Sequence, residues 1–149
     1  MPIPDYPFAI SVVIPHLNQP ELLRRCLASI KAGIYQPKEI FVVDNGSSVM
    51  PVDICDDFET VTLLREETPG PGPARNLGVR HACAEVLAFI DADCLADPEW
   101  LSFAARAMSD PAAEILGGDV RIAYVDPDRL TMIEAYESIY AYRMDRYIA

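Results

Sequence analysis

Basic residues are scarce in this chain. Its 149 residues hold 12 Lys and Arg against 23 Asp and Glu, a formal net charge of −11. Such an excess of acid argues against a surface that grips nucleic acid or an anionic membrane, because phosphate contacts need clustered Lys and Arg. The four cysteines, Cys26, Cys55, Cys83 and Cys94, form no CxxC pair. The common zinc and redox spacings are therefore missing, and buried free thiols in a reducing cytoplasm are expected. No apolar run reaches the ~20 residues that cross a bilayer, and the N-terminus lacks the basic-then-apolar order of a secretory leader. Together these absences predict a soluble, cytoplasmic protein with no transmembrane segment. Internal repeats are lacking too.

What is present is the composition of a globular protein, 51% hydrophobic and 23% charged. A chain of this length is expected to form one domain, residues 1–149. Short apolar runs at 8–14, 40–43, 61–64 and 86–90 read as strands, the first closed by Pro15. Helical periodicity covers 20–32, with Leu22, Leu23, Cys26, Leu27 and Ile30 on one face and Gly33 ending it. A weak helix is expected at 52–58. A rigid, non-helical Pro/Gly loop at 68–73 leads into a helix at 73–84, and Asp97-Pro98-Glu99 opens another that runs to about 108. Residues 113–125 predict at least one more strand. From Asp128 onward a helix is expected, with Met132, Tyr136, Ile139, Tyr140 and Tyr147 along one side.

Strands that are apolar throughout and alternate with helices define an α/β fold, a mostly parallel sheet with helices on both faces. Ligands of such sheets bind at the carboxyl ends of the strands. Polar residues fall there after every strand: Asn18, then Asp44, then Glu66 and Glu67, then Asp91 and Asp93. The last pair is the most informative. Two carboxylates ending a buried strand cannot stay unpartnered in the interior. They are expected to face a cleft where a hard divalent ion (Mg²⁺, Mn²⁺ or Ca²⁺) or ligand hydroxyls meet them.

Ser11-Val12-Val13-Ile14-Pro15, Asn18, Val42-Val43-Asp44-Asn45-Gly46-Ser47-Ser48, Pro73-Ala74-Arg75-Asn76-Leu77-Gly78 and Phe89-Ile90-Asp91-Ala92-Asp93 stand in the order and rough spacing of family 2 glycosyltransferases. The chain resembles the donor-binding half of that family from about residue 8 to the Gly117-Gly118 region. The resemblance implies the GT-A, Rossmann-like nucleotide-binding architecture. It implies inverting transfer of a sugar from a nucleotide diphosphate donor, UDP-linked by expectation, to an acceptor hydroxyl on a saccharide or lipid-linked glycan. It further implies a nucleotide pocket of Pro15, Asn18, Asp44, Gly46, Ser47, Arg75 and Asp91, with Asp44 accepting a hydrogen bond from the base and Arg75 flanking it. Asp91 and Asp93 resemble the DxD motif, with Asp93 binding Mn²⁺ or Mg²⁺ directly and Asp91 meeting the ribose or the metal's outer shell. Asp97 reads as a helix cap.

Three departures accompany the match. His16-Leu17 stand where the family commonly has threonine or alanine and then a base-lining residue, and His16 reads as a packed side chain. Val49-Met50 replace a usual acid. The acceptor half with its general base has no counterpart before Ala149, although Asp119, Asp126 and Asp128 lie near where it begins, so the catalytic domain reads as incomplete or truncated. The apolar side of the last helix then serves a missing half or a homo-oligomer. Two other readings remain open at this level: a non-catalytic nucleotide-binding or assembly module, and a phosphatase with its nucleophile in a DxD.

Overall fold

The structure, a computed structural model, describes residues 8–124 and 126–140. It divides into two compact units, Met1–Glu114 and Ile115–Ala149. The first contains four parallel strands, β1 (Ile10–His16), β2 (Glu39–Asp44), β3 (Val61–Arg65) and β4 (Val86–Phe89), in the spatial order β3-β2-β1-β4. β1 is central. The strand order reverses beside it, because the chain runs outward through β2 and β3 and then returns to place β4 on the other flank.

β1 forms because Ile10, Val12, Val13 and Ile14 are apolar and β-branched, and all four are fully buried. It does not stop at Pro15, as the sequence suggested, but pairs with β2 through His16↔Asp44. The carbonyls of Ile10 and His16 face β2 and that of Val13 faces β4, so the missing Pro15 N–H falls on the β4 side. Pairing with β4 ends at Val13↔Phe89, so no ladder bond is lost there. Ser11, buried within β1, donates to Glu39 Oε1 at 2.6 Å and accepts the Ala84 N–H at 3.2 Å.

Helices cover both faces. On one, α1 (Pro20–Lys31), α2 (Val52–Asp56) and α4 (Trp100–Ala107) pack Leu23, Cys26, Leu27, Ile30, Ile54, Cys55, Leu101 and Ala105 against Ile10, Val12, Ile14, Ile40 and Val42. The i, i+3, i+4, i+7 spacing in α1 turns one stripe toward the sheet. On the other face, α3 (Pro71–His81) sets Ala74 and Leu77 on Val13, Phe41 and Val43. The edge strands are less buried: in β4, Val86 and Ala88 are covered while Leu87 and Phe89 are partly exposed.

Several elements differ from expectation. α3 begins at Pro71, inside the supposed non-helical loop, and ends at His81. The N–H groups of a helix's first turn have no intrahelical partner, so Pro71 and Pro73 forfeit nothing there. α4 starts at Trp100; Asp97 holds the preceding turn by accepting the Glu99 N–H at 2.8 Å. Residues 113–124 contain no strand. In the second unit α5 (Met132–Tyr140) opens at Thr131, which forms a reciprocal capping box with Glu134, and not at Asp128. Tyr147 lies outside the described residues. Of the thiols, Cys26 and Cys55 are buried, whereas Cys94 is partly exposed and Cys83 exposed. Burial pushes the Cys26 thiol up to about 12 and that of Cys55 to about 11. No described helix is long and apolar enough to cross a membrane.

Gly78 marks the closest approach of α3 to β1, since a Cβ there would lie 2.4 Å from Val13 Cγ1. Gly78→Ala is therefore expected to destabilise by about 1–3 kcal/mol through overpacking, lowering Tm by about 3–10 °C. Gly72→Ala, where an added Cβ meets nothing within 4 Å, should not lower Tm in the same thermal melt, because the methyl group is unobstructed and alanine is the better helix former.

Candidate nucleotide-binding cleft

A cleft of about 320 Å³ opens at the carboxyl end of the sheet, beside the point where strand order reverses. Such reversals leave a crevice because neighbouring strand ends send their loops apart. Its lining comes from the turn after β1 (Pro15, His16, Leu17, Gln19), from Asn45 after β2, from the start of α3 (Gly70, Pro71, Arg75), and from Asp91, Ala92 and Asp93 after β4. Of the residues expected to form the site, Pro15, Arg75, Asp91 and Asp93 line this cleft. Asn18, Asp44, Gly46 and Ser47 form the interlocked turns next to it.

Those turns hold each other. Asn18 is the sole non-glycine with positive φ among the described residues, at 52°, a conformation asparagine tolerates. Its N–H donates to Ser47 Oγ at 2.8 Å, and its Oδ1 accepts the Ser48 N–H at 2.9 Å. Gly46, at φ 94°, lets the chain reverse after Asn45. Asn45 reaches the other way: its Nδ2 donates to the Glu66 and Thr68 carbonyls and its Oδ1 accepts the Gly70 N–H at 2.7 Å. It thereby sets the approach of α3 to the cleft. Glu66 turns back on its own loop, accepting the Thr68 N–H at 2.8 Å.

Asp44 is 1% exposed and sits behind the cleft wall. Oδ1 lies 3.0 Å from His16 Nδ1, and Oδ2 accepts the Ser47 N–H at 3.1 Å. Burial works against its charged form, but the hydrogen bonds from Ser47 and His16 outweigh it and hold the carboxyl below its ordinary range. His16 is buried as expected, at 2% exposure. The Gln19 N–H donates to its Nε2 at 3.2 Å. A backbone N–H can only donate, so Nε2 is the bare nitrogen and Nδ1 carries the proton that Asp44 accepts.

Arg75 projects from α3 to Asp91, not to Asp44, with Nη2 2.5 Å from Oδ1. Half-exposed pairs of this kind add little to stability, but this one fixes Asp91 and neutralises it. Asp93 is exposed, and its recorded neighbour is the Cys94 thiol at 3.7 Å. Burial and the two nearby carboxylates raise the Cys94 pKa, which keeps it a thiol in this structure. No cluster of three His, Cys, Asp or Glu is found among the described residues. Two carboxylates do fit Mg²⁺ or Mn²⁺, which commonly bind one or two protein carboxylates and complete their shells with phosphate oxygens and water.

His16, Gln19 and Asn45 were not singled out from sequence as site residues. A polar residue directly after a parallel strand is the signal that could have flagged His16 and Asn45. Gln19 acts through its backbone, which leaves no trace in residue type.

Comparison with known proteins assigns the chain and its fold to a class. Residues 11–148 match the model of glycosyl transferase family 2, and the chain belongs to that family. It is 34% identical over 137 residues to the glycosyltransferase AglE of Haloferax volcanii, covering 87% of this chain and 44% of that protein. It is 33% identical to the succinoglycan biosynthesis protein ExoW of Rhizobium meliloti, covering 74% of this chain and 39% of that protein. The chain thus spans less than half the length of these relatives. Among solved structures it is similar to the mannosyltransferase PcManGT of Pyrobaculum calidifontis in complex with GDP-Man and Mn²⁺, with TM-score 0.65, 28% identity, and coverage of 72% of this chain and 34% of that one. S. aureus TarS in complex with UDP-GlcNAc gives TM-score 0.62 at 27% identity over 68% of this chain and 31% of that one.

Asp44 and Glu39 make the fold acid-sensitive. The Glu39 carboxyl, despite partial burial, is also held low by bonds from Ser11 and the Cys83 N–H. A carboxyl with a depressed folded pKa stabilises the fold above its unfolded value, here 3.8 and 4.5. That stability is lost as pH falls through the folded value. The urea midpoint should stay level from about pH 7 to about pH 5 and drop below about pH 4, and Asp44→Asn should show a shallower drop. A wild-type midpoint that holds level to about pH 3 would count against the buried Asp44 network.

Proposed function

We propose that this cleft binds a nucleotide diphosphate sugar, UDP-linked by preference, and that the chain supplies the donor-binding part of an inverting glycosyltransferase. The observation that carries this reading is the convergence of Pro15, Arg75, Asp91 and Asp93 on one cleft at the strand-order reversal of a family 2 chain. The relatives are named glycosyltransferases, and two solved neighbours hold GDP-Man with Mn²⁺ and UDP-GlcNAc.

In this reading Asp93 is the direct ligand of Mn²⁺ or Mg²⁺, and Asp91, steadied by Arg75, takes the ribose or the metal's outer shell. Asn18, Asp44, Gly46 and Ser47 shape the nucleoside end through their interlocked turns, and Pro15 provides an apolar wall. A divalent ion, when bound, supplies Lewis-acid stabilisation of the charge that develops on the departing β-phosphate. Arg75 stays paired with Asp91 and so limits the repulsion that two bare carboxylates would exert on a diphosphate. The acceptor hydroxyl, on a saccharide or lipid-linked glycan, attacks the anomeric carbon from the face opposite the leaving group. No described residue is assigned as its general base.

Calorimetric titration tests this directly. UDP or GDP should bind more tightly in the presence of Mn²⁺, and Asp93→Ala should lose the metal-dependent gain, about tenfold or more in Kd, while keeping the metal-independent part. Absence of binding by either nucleotide, with or without the metal, would remove the proposal.

A further inference from the structure

We propose that His16 is a positioning residue for donor binding, and that Asp44 serves the nucleotide through His16 and the Asn45–Ser48 turn without touching the base. This rests on the nucleotide-binding reading of the cleft, and it departs from the base-contact role that resemblance suggests for Asp44.

Three observations carry it. First, Asp44 is almost wholly buried, and both carboxylate oxygens accept hydrogen bonds from within the chain. To reach a base it would have to be exposed and part with a donor, leaving His16 Nδ1–H or Ser47 N–H unsatisfied in the interior. Second, His16 has one donor and one acceptor, and both are used: Nδ1–H toward Asp44 on β2, Nε2 toward the Gln19 N–H just before α1. The ring therefore ties the end of β2 to the entrance of α1, and Gln19 is itself part of the cleft lining. Third, the same two segments are bonded again through Asn18 with Ser47 and Ser48, and through Asn45 N–H with the His16 carbonyl. The cleft wall is thus one hydrogen-bonded unit with His16 at its buried centre.

Glutamine reproduces the ring's one donor and one acceptor. Leucine fills the space with neither.

The test measures UDP and GDP affinity, each with Mn²⁺, for wild type, His16→Leu, His16→Gln and Asp44→Asn, after circular dichroism establishes that each is folded. His16→Leu and Asp44→Asn are expected to weaken both nucleotides about tenfold, with the UDP-to-GDP preference unchanged within about twofold. His16→Gln should restore most of that loss. If Asp44→Asn shifts the UDP-to-GDP preference more than about fivefold, Asp44 reads the base and the inference is overturned. His16→Leu that binds both nucleotides as tightly as wild type, or His16→Gln that recovers none of the loss, overturns the His16 role. Wild type that binds neither nucleotide defeats the nucleotide-binding reading itself, a result distinct from both.

Discussion

A carboxylate that is almost wholly shut off from solvent must be met by donors, and most of the local geometry at the cleft follows from how Asp44 is met. The parallel register carries β1 three residues past the end of its β4 pairing so that His16 lies opposite Asp44. The ring occupies the space and supplies the proton. Its other nitrogen then needs a donor, which the Gln19 backbone provides at the mouth of α1. Ser47 completes Asp44 from the other side, and this sets the tight turn for which Gly46 takes positive φ. Remove the carboxylate and the buried His16 Nδ1–H loses its acceptor, at about 1–3 kcal/mol, while the part-buried Ser47 N–H loses its partner as well.

The architecture was legible in the sequence for a specific reason. The inner strands and α1 are held by apolar burial, and burial writes itself into residue type: the β-branched run of β1 and the i, i+3, i+4, i+7 stripe of α1 have few other readings. Positions decided by hydrogen bonding were less legible. Pro15 looks like a strand terminator unless one knows that its missing N–H faces the flank where pairing has ended. Pro71 and Pro73 look like loop residues unless they fall in a helix's first turn. Residues 113–124 are apolar enough to suggest a strand, but strand formation needs a partner that composition does not reveal. Thr131 and Glu134, three residues apart before an apolar run, carry the sequence pattern of a capping box.

The candidate site divides along the same line. Asp91 and Asp93 stood out because two acids ending an apolar strand have no structural explanation of their own. Asp44 stood out too, but its surroundings could not be read from a linear motif. The residue that engages it lies 28 positions earlier, at a site the family commonly fills with threonine or alanine by resemblance. Arg75, a cation at a helix N-terminus that gains nothing from the dipole, pointed to a ligand or to Asp44 as its partner, and it pairs with Asp91 instead. Which acid it serves depended on where α3 lies against the sheet, and that placement is set by the bare Gly78 contact and by Asn45.

Charge at the cleft resolves a tension that the composition raises. A chain of net charge −11 should repel a diphosphate, yet the cleft is close to neutral. Its ionised lining consists of Arg75, Asp91 and Asp93, and the Arg75–Asp91 pair cancels, leaving a single negative charge at Asp93. His16 is neutral in the hydrogen-bonded arrangement, and Asp44 is sealed behind it. One divalent cation on Asp93 would therefore invert the sign of the lining, whereas two unpaired carboxylates would only be neutralised by it. The remaining acids are distributed over the surface, where screening over about 8 Å confines their reach. Arg75 thus acts electrostatically by cancelling one acid, so that under the proposed reading one bound divalent ion would be enough to turn the lining positive.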